Sequence, residues 1–224
     1  NAPYTGRDPR LEKYILFNGA EFKDKTIITG LYPDQDNKQD NGLNQLNTST
    51  RTGYYMRKLL REDCNANPNS LNAKYHIPVR IRYTEIFLAY AEAANDAWGP
   101  TGKGSNAYSA YDVIKAIRAR GGVGTDNGDA YLESVKGDKD KMAQLIRNER
   151  RIELCFENKR YDDIRRWGIG TETMSGPIYG AWNPNDEAFV LIETRACVFP
   201  KYDSWPLPQQ EETANSNIKQ PTGW

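Results

Sequence analysis

The chain has 224 residues, 38% hydrophobic and 27% charged, enough for one sizeable core or two small ones and unlike a wholly disordered segment. Lys plus Arg number 30 and Asp plus Glu 30, so no long-range field draws in nucleic acid or an anionic membrane surface. No apolar run approaches the ~18 residues of a membrane-spanning helix, and Cys64, Cys155 and Cys197, without metal-type spacing, read as small buried hydrophobes.

From Arg7 to Asp63 the pattern is short and extended. Tyr14 to Phe17, Thr26 to Leu31 and Tyr54 to Leu60 read as strands, with turns at Asn18-Gly19 and Gly30. Between Tyr32 and Gly53 lies a polar stretch so poor in apolar anchors that it is expected to be either a functional loop or a mobile one. Asp34, Asp36 and Asp40 suggest calcium, but the glycine and terminal glutamate of a calcium-binding helix-loop-helix are missing, and a solvated loop is the better reading. No metal or other cofactor is expected.

The stretch from Arg80 to Trp167 is helical in pattern. A helix is predicted over Arg82 to Ala97, where alanines at 89, 91, 93, 94 and 97 would let a partner come close. Ser105 is placed to cap a second helix, Asn106 to Arg120, with Ala107, Ala110, Tyr111, Ile114 and Ile117 as its core stripe and Gly121-Gly122 as its end. The two form an antiparallel hairpin. Asp138 or Asp140 caps a third helix, whose apolar stripe runs through Met142, Leu145, Ile146, Ile152 and Phe156. Glu149 and Glu153 fall on that stripe, four residues apart on one face, so both must meet cations; Arg150, Arg151, Arg160, Arg165 and Arg166 are at hand, the last three the expected partners. Asn158 is suited to the left-handed turn that ends the helix, and Tyr161, Ile164 and Trp167 begin a further apolar stripe. This second pair makes the arrangement tetratricopeptide-like in element order, although no 34-residue repeat survives in the sequence. From Ile169 onward loops return, with Ala188 to Glu193 and Ala196 to Phe199 as expected strands and a proline-punctuated tail that must pack to be ordered. The expected fold is therefore mostly α, helical hairpins over residues 80–168 flanked by a loop-rich part with short strands (1–79) and a loop-rich tail (169–224).

The run ERRIELCFENKRYDDIRRWG, Glu149 to Gly168, resembles the E-R-R-x-E-L-x-F-E-G-x-R-x-x-D-L-x-R-W-G signature of the SusD/RagB family, with Asn158 in place of the usual glycine. Glu149, Arg150, Arg151, Glu153, Arg160, Asp163, Arg166 and Trp167 carry the match. Arg7-Asp-Pro-Arg10-Leu11 resembles the family's N-R-D-P-R-[LF], with Gly6 replacing Asn, and Arg82 to Ala93 resembles its R-Y-A-E-[VI]-L-L-x-Y-A-E-A. Pro206 to Glu211, Asn215, Gln220 and Gly223-Trp224 resemble the closing motif, from which Ser216 and Pro221-Thr222 depart. The resemblance spans nearly the whole chain and maps it to the C-terminal part of a family member. It implies a lipid-anchored parent on the outward face of the outer membrane, its leader and lipid-bearing cysteine upstream of this chain, that binds a glycan and sits over a TonB-dependent, SusC-like transporter.

Catalysis finds little support in the residues. His76, the single histidine, has no nucleophile motif around it and reads as a surface or turn residue. Glu149 and Glu153 have the spacing to flank a glycosidic bond, but arginines around them would keep both ionised, the wrong state for a general acid. No phosphate-binding or dinucleotide fingerprint is present. Sugar binding asks instead for rings to stack on pyranose faces beside amide and carboxylate groups, and the chain has 14 Tyr and 5 Trp. Rings in or beside polar loops are Tyr32, Tyr54, Tyr55, Tyr179 and Trp182, with Asn41, Asn44 and Asn183 as hydroxyl partners; against each stands a role in packing. The expected function is non-catalytic capture of extracellular glycan for delivery to the transporter. The alternative is a scaffold that docks on the transporter while the rest of the protein holds the glycan.

Overall fold

The computed structural model describes residues 2–29, 49–75, 77–183, 186–199 and 201–224. Contacts divide the chain into two units, one of Asn1–Ile28 with Tyr54–Asn158, the other of Thr29–Gly53 with Lys159–Trp224. The expectations placed on Tyr32, Asp34, Asp36, Asp40, Asn41, Asn44 and His76 lie outside the described residues.

The first unit begins with α1 (Arg10–Tyr14), β1 (Ile15–Leu16), β2 (Glu21–Phe22), β3 (Lys25–Thr26) and β4 (Tyr55–Met56). β1 pairs antiparallel with β4, and β2 with β3 through Lys23 and Asp24, both at positive φ. The strands expected at 14–17 and 54–60 shrink to two residues each, Ile15–Leu16 and Tyr55–Met56. Around them Leu16, Phe17 and Ala20 are covered by Tyr4, Leu11, Phe22, Tyr54 and Tyr55.

Helices α2 (Tyr83–Trp98), α3 (Ala110–Arg120), α4 (Ala130–Val135) and α5 (Lys139–Glu153) hold the main core. α2 runs antiparallel to both α3 and α5. Arg120 at the end of α3 bonds the Thr84 hydroxyl at the start of α2 (3.2 Å), and Asn95 near the end of α2 donates to the Lys139 carbonyl that opens α5 (3.0 Å). Leu88, Ala91, Ala94, Ile114, Leu132, Met142, Leu145 and Ile146 interlock between them. The hairpin of α2 and α3 is as expected; α5 finds its partner in α2, a pairing the two-hairpin scheme did not include. Of the five α2 alanines only Ala91 and Ala94 are buried, since the others lie off the stripe that meets α3 and α5.

The caps follow local chemistry closely. α3 starts four residues later than expected, at a capping box in which Ser109 accepts from the Asp112 amide and Asp112 accepts from the Ser109 amide. Ser105 has no such partner three residues on, so it does not begin the helix. Asp138 caps α5 by accepting from the Asp140 and Lys141 amides. At the other end Phe156 and Asn158 both take positive φ, and Phe156, 41% exposed, leaves the core stripe it was assigned to.

The second unit carries α6 (Arg160–Arg166), α7 (Gly170–Met174), β5 (Gly176–Asn183), β6 (Ala188–Arg195) and α8 (Gln209–Ala214). β5 and β6 form an antiparallel pair with irregularities on both sides of Tyr179. β5 was not among the expected strands; it contains Gly176, Pro177 and Gly180 and is held by its pairing with β6. The strand expected at Ala196 to Phe199 does not form; β6 ends at Arg195, and the Cys197 amide bonds the Ser175 hydroxyl instead (2.9 Å). The tail is tied by its own polar groups: the Gln220 side chain bonds both the amide and the carbonyl of Leu207 (2.9 and 2.8 Å), and the Trp224 indole donates to the carbonyls of Lys201 and Ser204. Cys64, Cys155 and Cys197 are free thiols, half-buried rather than fully enclosed.

Candidate functional site

Glu149 and Glu153 are 0% and 2% exposed, at the C-terminal end of α5. A pair of carboxylates so enclosed is tolerable only if every oxygen meets a cation or donor. Arg10 supplies the centre. Its Nη1 lies 2.9 Å from Glu149 Oε2 and 3.2 Å from Glu153 Oε2, its Nη2 bonds Glu149 Oε1, and Asp8 grips the same guanidinium from behind at 2.6 and 2.9 Å. Arg118 adds a 2.6 Å bond to Glu149 and clasps Asp129. Arg82 reaches Glu153 at 3.0 Å and Glu157 at 2.8 Å, Arg120 pairs with Glu153, and Tyr14 donates to it. Lys58 caps the helix end, donating to the Glu153 carbonyl (2.6 Å) and pairing with Glu157 (2.5 Å), where a cation also suits the helix dipole.

Arg10, Lys58, Arg82, Arg118 and Arg120 thus balance Asp8, Asp129, Glu149, Glu153 and Glu157. Burial works to raise the Glu153 pKa, but Arg120 and Arg82 outweigh it and hold the group below the ordinary carboxylate value. Burial opposes ionisation of Glu157 and Asp8 too, and is overcome by Arg82 and Lys58 in one case and by Arg10 in the other. The expectation that Arg160, Arg165 or Arg166 would supply the cations is corrected: the partners seen are arginines outside the 149–168 run. Two of them, Arg10 and Arg82, come from the other signature stretches, so three separate motifs converge on one buried cluster. Such a cluster joins segments and performs no acid–base chemistry, because the Arg10 guanidinium occupies the space between the carboxylates where a substrate oxygen would have to enter.

The remaining motif residues lie nearby in sequence. Arg150 is buried and Arg151 exposed on α5; Asp163 is buried on α6 and accepts from Arg166 Nε at 2.9 Å; the Arg166 guanidinium lies 4.6 Å from the centre of the Trp167 ring; Arg160 is half-buried.

The ring residues expected to face a ligand divide between the two units, Tyr54 and Tyr55 in the first, Tyr179 and Trp182 in the second. Tyr54 and Tyr55 belong to the small core of the first unit, and the Tyr54 hydroxyl lies 3.1 Å from that of Tyr4. Burial, then the Tyr4 hydroxyl, push the Tyr54 phenol pKa well up. Trp182 is half-buried with its ring edge-on to Phe189 at 5.1 Å. Asn183 is buried and donates to Asp186. Tyr179 is the one of these five that stands out, 53% exposed, opposite an exposed Leu191 and beside the exposed pair Pro177 and Thr194. Gly180 lets β5 lie against the Thr52 backbone, where a Cβ would come within 3.0 Å of the carbonyl oxygen. Sequence reading passed over Tyr202, Trp205 and Trp224, exposed rings of the tail; the prolines around Trp205 could have marked it as unable to join a strand.

Among the described residues no group of three or more His, Cys, Asp or Glu is placed to hold a metal, and no helix is long and apolar enough to cross a membrane.

Comparison with known proteins agrees along the whole chain. The family model described as the SusD family matches residues 1–224. SusD-like protein P2 of Formosa agariphila is 32% identical over 143 residues, 62% of this chain and 24% of its own length; SusD-like protein P25 of the same organism is 26% identical over 162 residues, 72% of this chain and 26% of its own length. A crystal structure of a SusD-like protein from Bacteroides fragilis superposes on all of this chain and 40% of its own with a TM-score of 0.67 and 29% identity. The chain therefore spans about a quarter of the length of the curated relatives it matches. With the family model matched end to end, and a helix-rich fold with few short strands like that of the solved relative, the chain belongs to the SusD family.

Proposed function

We propose that this chain is the C-terminal part of a SusD-like domain in a lipoprotein anchored on the outward face of the outer membrane. The parent binds extracellular glycan without bond chemistry and delivers it to a TonB-dependent, SusC-like transporter. Family membership over residues 1–224 is the observation that carries this reading. The α2, α3 and α5 packing serves as a tetratricopeptide-like frame, and the β5–β6 pair presents the contact face. There Tyr179 is the stacking ring, with Leu191 extending the apolar platform and Thr194 supplying a hydroxyl partner. Such a shallow, wet face gives modest affinity and easy release, as handing on requires.

A second reading, a scaffold that docks on the transporter while the rest of the protein holds the glycan, is favoured by the packing of Tyr54 and Tyr55, which leaves them only partly exposed, and by the burial of Asn183. Calorimetry of the complete polypeptide against a glycan panel separates the two. Tyr179→Ala should weaken binding several-fold and Tyr54→Ala should not act on affinity directly; unchanged affinity in Tyr179→Ala moves the glycan elsewhere and leaves this chain the scaffold role.

A further inference from the structure

The segment before α2 has an apolar pattern turned the wrong way. Tyr75, Ile77, Val79, Ile81 and Tyr83 occupy every second position and are all between 63% and 88% exposed. Period two is the rhythm of a strand with one apolar face, and a folded chain turns that face away from water. Here only Arg82 points inward, to Glu153 and Glu157; the alternate residues Lys74, Pro78 and Arg80 are exposed along with the apolar ones, so nothing in the described chain covers this segment. Tyr83 continues the ladder into a groove of about 830 Å³ between α2 and α3, lined also by Phe87, Tyr108, Val113 and Ile117. Ladder and groove belong to the same unit; the exposed apolar side chains run from Tyr75 to Tyr83 and on to Tyr108 at the groove, whose floor is made by the buried Val113 and Ile117, a grouping of a kind that marks an interaction surface.

Ile77, Val79 and Ile81 are aliphatic, unable to stack on sugars or bond hydroxyls, so a glycan is a poor occupant. The solved relative points to another: all of this chain superposes on 40% of that molecule. A domain made of both parts has a core that crosses the boundary, and a core opened along a boundary shows contiguous apolar side chains. We infer that the 75–83 ladder with the α2–α3 groove is the seam on which the remaining part of the SusD-like domain, carried by the same polypeptide, folds. This rests on family membership and is independent of the glycan reading.

Hydroxyl-radical footprinting of the complete polypeptide, dilute and without transporter or glycan, tests it. Oxidation of Tyr75 and Tyr83 should be several-fold slower than in the same polypeptide unfolded in urea, and unaffected by further dilution. Val79→Asp with Ile81→Asp should lower its melting temperature and restore oxidation at both tyrosines. The inference is overturned if both tyrosines react at the unfolded rate in the monomer, if protection appears only as concentration rises, which assigns the face to a second copy, or if it needs the transporter. A mature polypeptide with nothing beyond this chain overturns it as well.

Discussion

Arg10 is the residue on which most depends, because its one guanidinium serves Asp8, Glu149 and Glu153 together. Removing a member of an enclosed ion cluster strands the opposite charge, so Glu149→Ala should cost about 3 to 5 kcal/mol in urea denaturation. Arg10→Lys should also destabilise, since an ammonium cannot reproduce the planar fork that reaches three carboxylates at once. The same groups set the response to acid. Glu153 and Glu157 titrate below their unfolded value of 4.5, so the stability they contribute is fully present above that pH and is lost as pH falls through the folded values. A pH series of denaturation midpoints should show a steep fall below pH 4.5, shallower in Glu157→Gln, which has one such carboxylate fewer.

Among the elements, the ends of α3 decide how the signature stretches meet. Ser109→Ala should cost about 1 kcal/mol by removing the capping box, whereas Ser105→Ala should stay within ~0.5 kcal/mol, and thermal denaturation of the pair distinguishes the two as helix starts. At the other end Gly121 matters for space. A Cβ there would stand 3.0 Å from Arg10 Cδ and Nε, and one at Gly122 would stand 3.3 Å from Pro9. The glycine pair that stops α3 therefore also makes room for the Pro9-Arg10 segment. Gly121→Val should displace Arg10 from Glu149, with a loss of stability comparable to Arg10→Lys and not additive with it, because both act on the same contact.

At the scale of the whole molecule, folding and ligand contact draw on different rings. Tyr54 sits in a packed cluster and shares a hydroxyl bond with Tyr4, so Tyr54→Ala should cost about 2 kcal/mol, in line with burying an aromatic side chain of that kind. Tyr179 is largely in solvent, and its replacement should leave the unfolding midpoint within ~0.5 kcal/mol of the parent. Equal destabilisation by the two changes would show that Tyr179 is part of the packing and unavailable to a ligand.

Periodicity and end signals are properties of neighbouring residues, and they were legible: the α2 and α5 stripes, the cap at Asp138 or Asp140, which falls to Asp138, the Gly121-Gly122 stop and the left-handed φ of Asn158 follow from local stereochemistry, although α5 already ends at Glu153. The demand that Glu149 and Glu153 find cations was equally readable from their place on an apolar stripe. Which cations answer was not, because Arg10, Arg82, Arg118 and Arg120 lie 31 to 143 positions away from Glu149 and Glu153 and only the packing of α1, α2 and α3 around the end of α5 brings them near. Strand length and the existence of β5 were likewise decided by pairing, which rescues a segment containing Gly176, Pro177 and Gly180 once β6 lies beside it. The exposure of a ring is a tertiary fact too: Tyr54 and Tyr179 look alike beside their loops, and what covers one and leaves the other open is set by residues tens of positions away.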